Sequence, residues 1–169
     1  GLSVLQALRR EMPQADLLYV ADSGHAPYGE RDVAHITARS EHITRFLLSQ
    51  GAQAIVVACN TATAAAVQHL RSLWPEVPII GVEPGIKPAV AQSAHRRIGV
   101  MATPTTLSSP RFTDLLARHA AGAEVTLQPC PGLAREIERG QLDSPELRAL
   151  VSEFTAALRA AQVDTVVLG

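Results

Sequence analysis

The sequence predicts an α/β fold: two similar α/β domains with largely parallel sheets flanked by helices, and an active site in the cleft between them. Three observations predict it. Short apolar runs recur along the chain, helical stripes fill the intervals, and polar or conformationally special residues collect just after the runs. Taken in order, Leu2, Leu5 and Leu8 share one face of a first helix, and a strand is expected at Leu17–Val20. Val33, Ile36, Ile43 and Leu47 then line a second helix. Ile55–Ala58 and Ile79–Val82 read as strands, with an alanine-rich helix between them. Ile98–Ala102, Val125–Leu127 and Thr165–Leu168 complete the strand set. All these runs are nearly continuous in hydrophobicity, the pattern of strands covered on both faces. The clearest helix carries Leu147, Leu150, Val151, Phe154 and Leu158. Ser144-Pro145-Glu146 starts it with a capping hydroxyl, a proline at the first helical position and an acid facing the positive helix end. Glycine and proline breaks in GVEPGIKPAVAQSAHRR separate domains expected at residues 1–86 and 87–169.

Composition narrows the function. A net charge of −1 without a basic run argues against a nucleic-acid surface, because neutralising phosphates needs clustered Lys and Arg. No apolar stretch approaches the roughly 20 residues that span a bilayer, and no signal-peptide pattern opens the chain. The expectation is a cytoplasmic protein whose partner is a small molecule, with no nucleic acid and no membrane. The histidines show no HExxH or His-x-x-x-His spacing and there is no CxxC, so no metal site is expected. GHAPYGER has glycines at Walker-like spacing, but Glu30 and Arg31 stand where Lys and Ser/Thr would hold phosphate and magnesium. Cys59 and Cys130 lie far apart, and no disulfide is expected without a secretory signal.

Ligands of α/β sheets sit beyond the carboxyl ends of the strands. Those positions hold Asp22 through Gly29, Cys59-Asn60-Thr61, Glu83-Pro84-Gly85, Thr103 through Thr106, and Cys130-Pro131-Gly132. Cys59 precedes a helix whose first N–H groups favour negative charge, so its thiol is either drawn toward the thiolate or buried as a small hydrophobe. Asn60 and Thr61, with their amides, can hold a carboxylate by the same physics. Pro27-Tyr28-Gly29 reads as a loop bringing backbone N–H groups and an inward tyrosine hydroxyl to a ligand, or as a plain turn. Thr103 and Thr106 put two hydroxyls on one side of a first turn, although an N-cap explains one of them. Asp22 is catalytic only from a cleft, since a turn aspartate usually bonds its own backbone. Cys130, between two prolines, fits a loop as well as it fits a second thiol.

VVACNTAT, the upstream APYGE and the downstream PIIGVEPGIKPA resemble the glutamate racemases of the aspartate/glutamate racemase group. GLSVLQALRREMP is similar to the helix after that family's first strand, RIGVMATPTT to its glycine-threonine ligand loop, and DTVVLG to the strand before its second catalytic cysteine. The resemblance implies a cofactor-independent isomerase, often a homodimer, that interconverts L- and D-glutamate for peptidoglycan with one cysteine on each face of the substrate. It implies that Cys59 exchanges the α-proton from the D-glutamate side. Asn60 and Thr61 match substrate-carboxylate binders, Pro27, Tyr28 and Gly29 the side-chain carboxylate loop, and Thr103 and Thr106 the threonine pair of the second domain. Glu138 matches an acid near the second thiol, although Arg135 and Glu136 depart from the apolar residues usual before it. Cys130 does not match the second thiol and is expected to be structural. The chain starts just after the family's Asp-Ser-Gly and stops just before its Cys-Thr-His. It is therefore expected to be a truncated, inactive polypeptide whose first domain is completed beyond residue 169. The alternatives are an aspartate or related amino-acid racemase, a cysteine-nucleophile hydrolase or lyase, and a non-catalytic binding module.

Overall fold

The computed structural model describes residues 1–169, which form two compact units, Gly1–Val82 and Glu83–Gly169. The first unit contains α1 (Leu2–Glu11), α2 (Val33–Ser49), β1 (Ile55–Val57), α3 (Asn60–Leu73) and β2 (Ile79–Gly81). Prolines mark two of the helix ends. Met12 and Trp74, the residues after α1 and α3, each precede a proline, whose ring disfavours helical backbone at the residue before it. Strands β1 and β2 pair in parallel, Ile55 opposite Ile79 and Val57 opposite Gly81. Helix α3 covers one face of this pair, burying Ala66, Val67 and Leu70 against Ile55 and Ile79.

Two expectations fail in this unit. Leu17–Val20 is not a strand; it runs without a ladder partner, and Leu18 and Tyr19 are exposed. Apolar composition expresses a preference, but only a neighbouring strand turns it into a sheet. The strands are also not covered on both faces, because Val56 and Ile80 keep 37% and 47% exposure while their neighbours Ile55 and Ile79 keep 4% each. An all-apolar run such as Ile55–Ala58 carries no polar residue to mark its open face.

The second unit contains α4 (Ile86–Gln92), β3 (Arg97–Ala102), α5 (Pro104–Leu107), α6 (Pro110–His119), β4 (Glu124–Pro129), α7 (Leu133–Glu138), α8 (Pro145–Ala160) and β5 (Thr165–Leu168). Its sheet has the order β4-β3-β5 and is parallel throughout, with Gly99 opposite both Thr126 and Val166. Here the central strand β3 meets the two-faced expectation. Ile98 and Val100 pack with Ile86, Phe112 and Leu115, while Met101 packs with Cys130, Phe154 and Leu158. A Cβ on Gly99 would meet Leu158 at 3.0 Å, so the missing side chain lets α8 close on the sheet. Helix α8 starts as its sequence dictates, with the Ser144 side chain accepting from the Leu147 N–H and Pro145 at the first turn. No helix is long and apolar enough to cross a membrane.

Candidate active site

The first unit's site is built where β1 runs into α3. Cys59 keeps extended backbone (φ −145°, ψ 124°) and caps the helix, its Sγ accepting from the Ala62 N–H at 3.5 Å. An amide aimed at sulfur presents to it the positive end of a fixed dipole. The residue is half-buried, so the sulfur is neither sealed in the core nor free in solvent. Asn60 and Thr61 follow as the first helical residues, and Thr61 is buried. The Asn60 Oδ1 is buried without a hydrogen-bond partner. An orphaned acceptor of this kind costs about 1–3 kcal/mol, and functional sites are where that cost is retained.

Thr63, absent from the residues singled out by sequence, holds this junction together. It is 2% exposed, and its Oγ1 donates to the Val57 carbonyl at 3.2 Å and accepts from the Val82 N–H at 3.1 Å. One hydroxyl thus ties the first turn of α3 to the ends of both strands. Gly81 makes room for it, since a Cβ there would run into the Thr63 side chain.

The loop from Asp22 to Gly29 is organised by a second residue that sequence reasoning missed, Arg39 of α2. Its Nε donates to Asp22 Oδ2 at 3.0 Å and its Nη2 to Oδ1 at 2.7 Å. The Tyr28 hydroxyl donates to Asp22 Oδ2 at 2.5 Å. The phenol proton is therefore committed to Asp22. The Asp22 side chain does not bond its own turn. Its main-chain carbonyl does that, accepting from the His25 and Ala26 N–H groups at 2.9 Å each. The Arg39 hydrogen bonds, helped by Tyr28 and opposed by burial, hold the Asp22 carboxyl down at about 2. It is ionised at neutral pH and is no proton shuttle there. Burial, then the Asp22 carboxylate, push the Tyr28 phenol above its ordinary value. Pro27 is half-buried and Gly29 buried beside it.

In the second unit Thr103 caps α5, accepting from the Thr106 N–H at 3.3 Å and donating to the Thr106 Oγ1 at 3.0 Å. Both threonine hydroxyls therefore meet in one first turn, with Thr106 buried. Glu138 is the exposed last residue of α7. Cys130 is 6% exposed, its thiol donates to the Gln128 carbonyl at 3.3 Å, and burial pushes that thiol up. It behaves as a neutral core residue.

A capping cysteine and a carboxylate-anchored tyrosine loop are thus carried by one parallel α/β unit. The chain belongs to the Asp/Glu/Hydantoin racemase family, whose model matches residues 2–169. It is 50% identical over its whole length to the glutamate racemase of Pseudomonas aeruginosa, covering 64% of that protein, and 52% identical to that of Methylococcus capsulatus, covering 62%. The structure is similar to Escherichia coli glutamate racemase, solved with L-glutamate and the activator UDP-MurNAc-ala. The TM-score is 0.86 at 30% identity, over 100% of this chain and 64% of that one. The chain thus spans somewhat under two thirds of the relatives it matches.

Proposed function

We propose that the protein carrying this sequence interconverts L- and D-glutamate without a cofactor, and that Cys59 is one of its two proton-transferring thiols. The observation that carries this reading is the junction itself: a half-buried sulfur facing a helix-start amide, next to a buried amide oxygen that lacks a donor. The ammonium group of an amino acid supplies such a donor to Asn60, and the amide-rich start of α3 suits its α-carboxylate. Pulling a proton from Cα develops negative charge, which fixed dipoles in a water-poor site stabilise. A thiolate with an amide behind it is a suitable base. Inversion needs a second acid–base group on the opposite face, and sealed Cys130 does not supply it. Asn60 and Thr61 then hold the α-carboxylate end, Pro27, Tyr28 and Gly29 the side-chain carboxylate, and Thr103 and Thr106 complete the substrate contacts. Asp22 acts by holding Tyr28, and Glu138 stands as the acid associated with the second proton-transfer group. The names of the close relatives favour glutamate over aspartate. The D-glutamate produced serves peptidoglycan in the cytoplasm, and the enzyme works as a homodimer.

Circular dichroism of L-glutamate solutions tests the reaction. The wild type is expected to drive the signal to zero and Cys59→Ala to leave it unchanged. Normal turnover in both directions by Cys59→Ala would remove that thiol from the mechanism.

A further inference from the structure

Arg39 lies outside the residues tied above to glutamate, yet it is the hub behind Tyr28. Its guanidinium engages both oxygens of Asp22, and the Oδ2 that takes Nε–H also takes the Tyr28 hydroxyl. The Arg39 and Asp22 side chains keep only 24% and 13% of their exposure. A forked guanidinium–carboxylate pair fixes the plane of the carboxylate as well as its position, which a point charge cannot do. The Tyr28 ring therefore sits where Arg39 holds Asp22. The same carboxylate belongs to the residue whose carbonyl closes the His25–Ala26 turn, so one side chain of α2 anchors the loop at its start and at Tyr28. Because Nε and Nη2 are engaged by Asp22, Arg39 acts through the loop.

We propose that Arg39 is a positioning residue that, through Asp22, holds the Tyr28–Gly29 segment against the side-chain carboxylate of glutamate, and so sets affinity for substrate. This rests on the racemase reading. The test is steady-state racemisation by the protein carrying this sequence, comparing wild type, Arg39→Met, Arg39→Lys, Tyr28→Phe and the Arg39→Met/Tyr28→Phe double variant, with melting curves for each. Removing a contact that serves binding in ground and transition state alike raises KM and spares kcat. Arg39→Met is expected to raise KM for glutamate about tenfold with kcat within about threefold, and Arg39→Lys, which keeps charge without the fork, to fall between. In the Tyr28→Phe background, Arg39→Met should add little, because both changes break the same chain of contacts.

An unmoved KM in the lysine and methionine variants would overturn the role. So would a fall in apparent kcat that tracks lost thermal stability at constant KM, or effects of Arg39→Met and Tyr28→Phe that simply multiply. If Arg39→Met does not fold, Arg39→Lys and its pairing with Tyr28→Phe decide the same question. Absence of glutamate turnover in the wild type would overturn the racemase reading and this proposal with it, whereas wild-type turnover with unmoved KM in the variants overturns the Arg39 role alone.

Discussion

Replacing Gly81 by alanine should strike the junction that carries Cys59, although the glycine is distant from it in sequence. An added Cβ would overlap the Thr63 Cγ2, and would lie 2.9 Å from its Oγ1 and 3.2 Å from its Cβ. None of these atoms is the far end of a flexible chain, because a β-branched side chain turns only about χ1. Overpacking of this sort costs about 1–3 kcal/mol. If Thr63 rotates away, its bonds to the Val57 carbonyl and the Val82 N–H are lost as well, at about 1 kcal/mol each. The expected destabilisation is about 1–3 kcal/mol with Thr63 in place and about 3–5 kcal/mol if it rotates away, read as a lower urea midpoint at unchanged slope. Thr63→Ser deletes the clashing methyl and keeps the hydroxyl. Alone it should cost about 1 kcal/mol, whereas in the Gly81→Ala background it should recover about 1–2 kcal/mol. A Gly81→Ala variant within about 0.5 kcal/mol of wild type, or a double variant whose losses simply add, would refute the reasoning.

Two further outcomes concern Asp22 and Cys130. The Asp22 carboxyl is depressed to about 2 from an ordinary 3.8, so its stabilisation is fully present above about pH 4 and is lost as pH falls toward 2. At about 1.4 kcal/mol per unit this amounts to about 2 kcal/mol. The stability gap between wild type and Asp22→Asn, from urea unfolding, should be widest above pH 4 and close near pH 2; a gap independent of pH would contradict it. Cys130→Ala should cost about 1 kcal/mol by removing a buried sulfur from the Met101–Phe154–Leu158 cluster, and should leave racemisation unaltered. Lost turnover in a folded Cys130→Ala protein would reopen its role.

Features set by neighbouring residues were legible in the sequence. The Ser144 cap, the proline after it and the entry of Asn60 into a helix behind Cys59 all depend on a few adjacent side chains, and they stand in the structure as read. Strand β3 was legible for a different reason: its run is long enough that burial of both faces leaves a mark. The failures share one cause. Leu17–Val20 has the composition of a strand, but pairing is a property of the neighbour, and the open side of Val56 and Ile80 depends on what packs there. The two residues missed at the site are likewise joined only by folding. Arg39 lies 17 positions from Asp22 and Thr63 lies 19 from Val82. A faint signal existed for Thr63, as a second threonine one turn inside a helix cap and followed later by a glycine at a strand end. Nothing around Arg39 distinguishes it from the other arginines of exposed helix faces.

Where hydrogen goes at Cα separates proton transfer from covalent chemistry at Cys59. Glutamate incubated in heavy water with the wild-type protein should acquire deuterium at Cα while Cys59 shows no added mass, and Cys59→Ala should lower the exchange rate by about a hundredfold or more. A stable adduct on Cys59 with no deuterium in recovered glutamate, or undiminished exchange by the alanine variant, would contradict it.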